Sequence, residues 1–146
     1  MGAVYGVQAT KIATGGIANL CARGTVDARV KTITDYYEAS ALATSSTIIM
    51  GRIIEAGARI LDVSLMWDSL NAGALGGYLE VGDKSDMDRY IASTQATTAG
   101  AKRCTLVDGI DYVVGTASGD NQIYVSYTGV SAATGTIKLV VTYSSD

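Results

Sequence analysis

The stretch EAGARILDVSLMWD, residues 55–68, holds the only tryptophan of the chain and one of its strictest alternations of apolar and polar residues. Successive side chains of a β-strand point to opposite faces, so this pattern predicts a strand over residues 58–68. Its inward face is predicted to carry Leu61, Val63, Leu65 and Trp67. Residues 55–58 predict a turn, and the apolar run before it, residues 45–54, predicts a neighbouring antiparallel strand.

The rest of the chain predicts further strands and almost no helix. Strands are expected at residues 25–37, 78–82, 104–107, 112–114, 122–127 and 136–143, separated by turns rich in Gly, Asp and Asn. In the first of these, Val26, Ala28, Val30 and Thr32 are expected to share one face, and in the last Ile137, Leu139, Val141 and Tyr143 do. Residues 38–43 and 86–92 are expected to form connections with a helical turn.

These patterns predict an all-β fold, an antiparallel β-sandwich with about eight strands. Eight strands in two sheets is the number found in a jelly roll, although the sequence leaves the strand order open. We expect one β-sandwich domain over residues 25–146, which is long enough to enclose a core.

Residues 1–24 are rich in Gly and Ala and carry short apolar patches without a regular period. They predict an extended N-terminal arm that is laid against a partner. The expected contact residues of this arm are Val4, Tyr5, Val7, Ile12 and Ile17. The alternative is an ordinary first strand followed by a long loop.

The composition favours a protein whose surface is partly covered in an assembly. Charged residues make up 17% of the chain, against about 25% in ordinary soluble domains. A surface rich in Ser, Thr, Gly and Ala is the alternative explanation. A net charge of −3 argues against broad nucleic-acid binding, and no apolar run is long enough to cross a membrane.

The N-terminus shows no signal-peptide pattern. The only two cysteines, Cys21 and Cys104, could form one disulfide. Because the sequence shows no disulfide framework, we expect free thiols in a reducing compartment.

Nothing in the sequence predicts catalysis or a cofactor. The chain has no histidine, the commonest general base and metal ligand. The cluster of Asp83, Asp86 and Asp88 does not match a calcium-loop spacing and is expected to be a polar loop with Asp caps. Asp62 and Asp68 lack the aromatic cleft of a glycosidase pair. The chain is therefore predicted not to be an enzyme.

Tyrosine is the main aromatic residue, with nine copies against one tryptophan and no phenylalanine. Tyrosine combines an apolar ring with a polar tip, which suits surfaces that become half buried on binding. Tyr124 is expected on the face opposite to Ile123, Val125 and Tyr127. It is therefore a candidate interface or ligand-stacking residue.

Several segments carry a resemblance to a known class of proteins. They are IEAGARILDV at residues 54–63, WDSL at 67–70, YLEVGD at 78–83, DMDRYI at 86–91 and GTIK at 135–138. This series resembles small structural proteins of tailed bacteriophages of the capsid cement, or decoration, type. The similarity runs from about residue 48 to residue 143 and consists of turn and strand residues.

The resemblance implies a jelly-roll-like β-sandwich that forms homotrimers on the outside of the virion head. It implies two partners, the major capsid protein and other copies of the chain, and synthesis in the cytoplasm of the bacterial host. The alternative function is a carbohydrate- or receptor-binding domain of a head or tail fibre, with Trp67 or an exposed tyrosine as stacking platform.

Overall fold

The computed structural model describes residues 29–51, 55–70 and 76–145. Within them the chain forms eight β-strands. The strands are β1 (Arg29–Leu42), β2 (Ser46–Met50), β3 (Arg59–Trp67), β4 (Tyr78–Gly82), β5 (Ile91–Gln95), β6 (Gly100–Arg103), β7 (Ile123–Thr128) and β8 (Ala133–Ser145). The predicted all-β fold is confirmed.

The strand order is that of a jelly roll. Sheet A has the order β1-β8-β3-β6 and sheet B the order β2-β7-β4-β5, and every pairing is antiparallel. Every connection except that between β4 and β5 passes from one sheet to the other, which is how two Greek keys wind into a double-sheet roll. The sequence could not determine this order.

The core lies between the two sheets and is built by alternate residues of each strand. Ile137, Leu139, Val141 and Tyr143 of β8 are buried on one face, as the alternation predicts. Trp67 is 8% exposed, and its indole Nε1 donates a hydrogen bond of 2.9 Å to the carbonyl oxygen of Thr98. The only tryptophan is therefore part of the core.

The prediction that Leu61 of β3 lies in the core is wrong. Leu61 is 38% exposed, whereas its neighbour Ile60 is fully buried. The β3–β8 register pairs Ile60 with Tyr143 and Asp62 with Thr142, so Leu61 has no partner of its own on β8. This β-bulge adds one residue to β3 and reverses the alternation before it.

The prediction for β1 ends too early, at residue 37, and assigns the wrong inward face; Val26 and Ala28 lie outside the described residues. The strand continues through residues 38–42, where a connection with a helical turn was expected, because it pairs with β8 along nearly its whole length. Tertiary pairing here outweighs the helix preference of an Ala-rich segment. Val30 and Thr32 lie on the exposed face, and Ile33 and Tyr37 pack against the core.

Two of the eight predicted strands were also wrong. Residues 104–107 form no strand, and residues 112–114 contribute only an isolated bridge between Val113 and Arg59. The two further strands of the fold are β5 and β6, each an edge strand of its sheet. Both are short and rich in small or polar residues, so their sequences lack a clear apolar alternation. The helical turn predicted at residues 86–92 is limited to one turn, closed by a hydrogen bond of 3.4 Å from Arg89 N to Asp86 O, and β5 begins at Ile91.

The strand order places the connections at two opposite ends. The β2–β3, β4–β5 and β6–β7 connections meet at one end, together with Arg29 of β1 and Ser145 of β8. We call this the loop end. Backbone Gly57 N donates to Val114 O there at 2.8 Å, and Lys84 Nζ donates to Ser118 O at 2.9 Å. The other four connections lie at what we call the turn end.

The burial of Trp67 predicts its fluorescence. Because its ring is shielded by the core, we expect emission near that of an apolar environment and weak quenching by iodide. Unfolding in denaturant should shift the emission to longer wavelength and make quenching efficient. Efficient quenching of the native protein would contradict the core position of Trp67.

Candidate functional surfaces

A buried ion pair organises the β4–β5 connection at the loop end. The carboxylate of Asp83 is buried. Its Oδ1 accepts hydrogen bonds from Ser85 N at 2.9 Å, Ser85 Oγ at 2.7 Å and Asp86 N at 2.9 Å. Its Oδ2 accepts a bond of 2.5 Å from Arg89 Nε. A buried charge is tolerable only when it is paired and hydrogen-bonded in this way.

The pKa of Asp83 reflects this balance. Burial alone would raise the pKa, but the hydrogen bonds from Arg89 and Ser85 outweigh it, so the pKa lies below its usual range. Asp83 caps the backbone of this connection, as predicted, but its carboxylate is buried and paired with Arg89 instead of solvated. Exposed Asp88 differs: a hydrogen bond with Asp86, some burial and the like charge of Asp86 raise its pKa.

Arg89 carries this network across to the β6–β7 connection. Its guanidinium carbon lies 4.1 Å from the ring centroid of Tyr112, a cation–π contact. Tyr112 in turn meets Tyr90 edge to face, with 6.3 Å between the ring centroids. The two connections are thus held together by a chain of contacts that begins at Asp83.

Gly109 shows how closely these connections approach each other. A Cβ atom on Gly109 would lie 2.6 Å from the backbone oxygen of Arg89 and 2.9 Å from Cys104 Sγ. Only glycine allows the backbones to come so near. Cys104 is a free, buried thiol, and burial raises its pKa. Cys21 lies outside the described residues, so its predicted free thiol stays a prediction.

Three exposed apolar side chains of the loop end lie on the β6–β7 connection, and a fourth, Val30, lies beside Arg29 on the outer face of β1. Val107 is 89% exposed and Ile110 is 40% exposed. Val113, which pairs with Arg59 at the edge of sheet A, is also exposed. The sequence pattern predicts strands or a turn at these residues and does not indicate a binding surface. One sequence feature could have indicated this surface: apolar residues stand on both sides of the turn signal Asp108-Gly109.

The predicted interface residues fall into two groups. Val4, Tyr5, Val7, Ile12 and Ile17 lie outside the described residues, as does the whole predicted arm at residues 1–24. Tyr124 lies on the outer face of sheet B, half-buried, in register with Ile49 and Gly82. Its hydroxyl donates a hydrogen bond of 2.9 Å to Gln122 Oε1. Tyr124 is the second residue of β7 and pairs with Gly82, the last residue of β4, so it lies on the outer sheet face next to the loop end. Its role in binding stays a prediction.

The carboxylates considered for catalysis are held by structural partners. Asp62 forms an ion pair of 2.9 Å with Arg103, and Asp68 Oδ2 accepts a hydrogen bond of 3.0 Å from Thr136 N. Within ranges 29–51, 55–70 and 76–145, no group of three or more acidic, cysteine or histidine side chains could hold a metal ion. The described part of the chain also contains no helix long and apolar enough to span a membrane.

Comparisons with known proteins identify the fold. A chain in the capsid asymmetric unit of cyanophage Pam1 superposes with a TM-score of 0.64 at 21% identity, covering 82% of this chain and 86% of that one. A chain in the capsid of Ralstonia phage GP4 gives 0.63 at 20% identity, covering 81% and 85%. A chain in the acid-stable capsid of Helicobacter pylori bacteriophage KHP30 gives 0.51 at 11% identity, covering 80% and 87%.

No protein-family model and no curated protein matches the sequence. The similarity is therefore one of fold. Because the matches cover similar shares of both chains, those capsid chains are of about the same length as this one. The chain has the fold of a small jelly-roll subunit seen in phage capsids.

The Asp83 network predicts a pH-dependent stability. Asp83→Ala leaves Arg89 without its carboxylate and should lower the free energy of unfolding at neutral pH by about 3 kcal/mol. Because the pKa of Asp83 is lowered on folding, its contribution is complete above its unfolded pKa of about 3.9. It is lost as the pH falls through the folded pKa. The gap between wild type and variant should therefore narrow below about pH 4.

Denaturant titrations at a series of pH values measure this gap. Asp108→Ala, at an exposed carboxylate, is the matched control and should change stability by less than about 0.5 kcal/mol. Equal effects of the two substitutions at neutral pH would contradict the anchoring role of Asp83.

Proposed function

We propose that this chain is a bacteriophage virion structural protein, a capsid cement protein that binds and stabilises the shell of the major capsid protein without chemistry. The observation that carries the proposal is the fold match over most of its length to chains of the Pam1 and GP4 capsids. A subunit of this kind acts on the outer surface of the virion, after synthesis in the host cytoplasm. Its partners are the major capsid protein and further copies of itself, as a homotrimer.

Binding in this role works by mass action. A subunit that binds only the assembled shell lowers the free energy of the assembled state and leaves that of the separated capsid proteins unchanged. When one subunit contacts two capsid proteins, it also opposes their separation. A specific interface of this type buries at least about 1,000 Å², which the low charge content and the exposed apolar side chains of this chain favour.

The carbohydrate- or receptor-binding alternative is less well supported. Trp67, its proposed stacking platform, is in the core, and its Nε1 is engaged by Thr98. Tyr36 and Tyr78 are exposed, but they lie on the outer faces of different sheets, on β1 and β4. A sugar ring is bound by platforms that converge on one cleft.

Shell binding tests the proposal directly. Shells assembled from the major capsid protein of the virus that encodes this chain should co-sediment with the purified chain, with a Kd of about 1 µM or lower. At about 100 times the Kd, binding should contribute about 2.7 kcal/mol per site and raise the temperature at which the shell dissociates. Absence of co-sedimentation, with shells shown to be intact, would contradict the proposal.

The N-terminal arm makes a separate prediction. Removal of residues 1–20 should weaken shell binding, because Val4, Tyr5, Val7, Ile12 and Ile17 are proposed contacts, while the sandwich still unfolds cooperatively. Replacing these five residues by serine in the full chain is the matched control for the loss of length. Normal decoration by both variants would exclude the arm as a contact.

A further inference from the structure

The turn at residues 106–111 projects apolar side chains from the loop end. Gly109 N and Ile110 N donate to the carbonyl oxygen of Leu106 at 3.2 and 3.3 Å, which closes a single turn. Val107 and Ile110 lie three residues apart in this turn and are both exposed. Single exposed apolar residues are common on protein surfaces. Two in one turn, with exposed Val113 on the same connection, form an apolar patch of the kind that marks a contact site.

The backbone of this turn is held from several sides. Asp111 N donates to Ile60 O at 2.7 Å, and the Asp111 carboxylate pairs with Arg59 at 3.1 Å. Asp111 has a φ of +65°, a left-handed conformation that Asp tolerates better than most residues, and its contacts with Ile60 and Arg59 hold it there. With Gly109 packed closely against the backbone of Arg89, the turn that carries Val107 is held in one backbone conformation. A fixed apolar group loses little conformational freedom on binding.

Negatively charged groups outnumber positively charged groups around the turn. Asp108, next to Val107, is exposed and forms no ion pair with any residue of the described ranges. Asp86 and exposed Asp88, on the neighbouring β4–β5 connection, add two further carboxylates. The nearby guanidinium groups of Arg59 and Arg89 are already paired with Asp111 and Asp83. A complementary surface would therefore have an apolar pocket with Lys or Arg at its rim.

The same end carries the start of the described chain. Arg29 pairs with Ser145, and both lie at the loop end. The 28 residues that precede Arg29, including the proposed arm contacts, therefore join the sandwich at this end. One side of the molecule combines a fixed apolar turn with the attachment point of the N-terminal segment.

We propose that the loop end, and not the outer face of either sheet, is the side that docks on the capsid shell. Val107 and Ile110 enter an apolar pocket on the major capsid protein, and Asp108 meets basic residues at its rim. The turn end then points away from the shell. This inference rests on the proposed cement function and adds the orientation of the subunit and the chemistry of the contact.

Two substitutions of the same kind at opposite ends test the orientation. Val107→Asp lies at the loop end. Val130→Asp lies in the β7–β8 connection at the turn end, where Val130 is 71% exposed. Neither side chain is buried, so each variant should unfold within about 0.5 kcal/mol of wild type. Val107→Asp should weaken co-sedimentation with the shells by about tenfold or more, and Val130→Asp by less than about twofold.

Each outcome decides something different. If wild type binds and Val107→Asp binds equally well, or if Val130→Asp alone loses binding, the proposed orientation is wrong and the cement function stands. If wild type itself does not bind the shells, the cement function fails, and this inference fails with it. A second variant tests the rim: Asp108→Asn should weaken binding, and its binding should depend less on salt concentration than that of wild type. An unchanged salt dependence would overturn the basic rim.

Discussion

The ion pair between Asp83 and Arg89 is the interaction on which the loop end depends. The carboxylate is buried and accepts three further hydrogen bonds from Ser85 and Asp86, so its charge is satisfied from every side. The guanidinium is then fixed over Tyr112, which sets the approach of the β6–β7 connection to the β4–β5 connection. Connections between strands are usually the least restrained parts of a sandwich. Here they are tied to each other through one buried charge.

The parts of the fold that the sequence predicted are those where one face is fully buried. β8 pairs on both sides, with β1 and β3, and its alternation of Ile137, Leu139, Val141 and Tyr143 appears directly in the sequence. The sequence does not predict β5 and β6 because both are short and rich in small or polar residues, which leaves no clear alternation. The bulge at Leu61 was missed because the extra residue has no sequence signature of its own. The sequence does not determine the strand order, since antiparallel strands of similar composition can pair in several orders.

The candidate surface was harder to predict than the core. The sequence predicts Tyr124 as an interface or ligand-stacking residue because tyrosine suits surfaces that become half buried on binding. In the structure it is half-buried on sheet B, and its hydroxyl is already hydrogen-bonded to Gln122. The sequence predicts a strand at Val107 and a turn at Ile110. It does not predict their exposure, because apolar residues are usually buried. Their exposure follows from the Asp83 network and from Gly109, which involve residues distant in sequence. Such long-range contacts fix a loop conformation that local patterns do not encode.

The fold alone is compatible with several functions, since jelly rolls occur in proteins with unrelated activities. The proposed role therefore depends on a binding surface and on its orientation toward the shell. A cryo-electron microscopy reconstruction of shells incubated with the chain measures both at once. The account predicts jelly-roll density on the outer surface, with residues 104–114 against the capsid protein and the β7–β8 connection facing solvent. Undecorated shells, or subunits attached through the turn end or a sheet face, would contradict it.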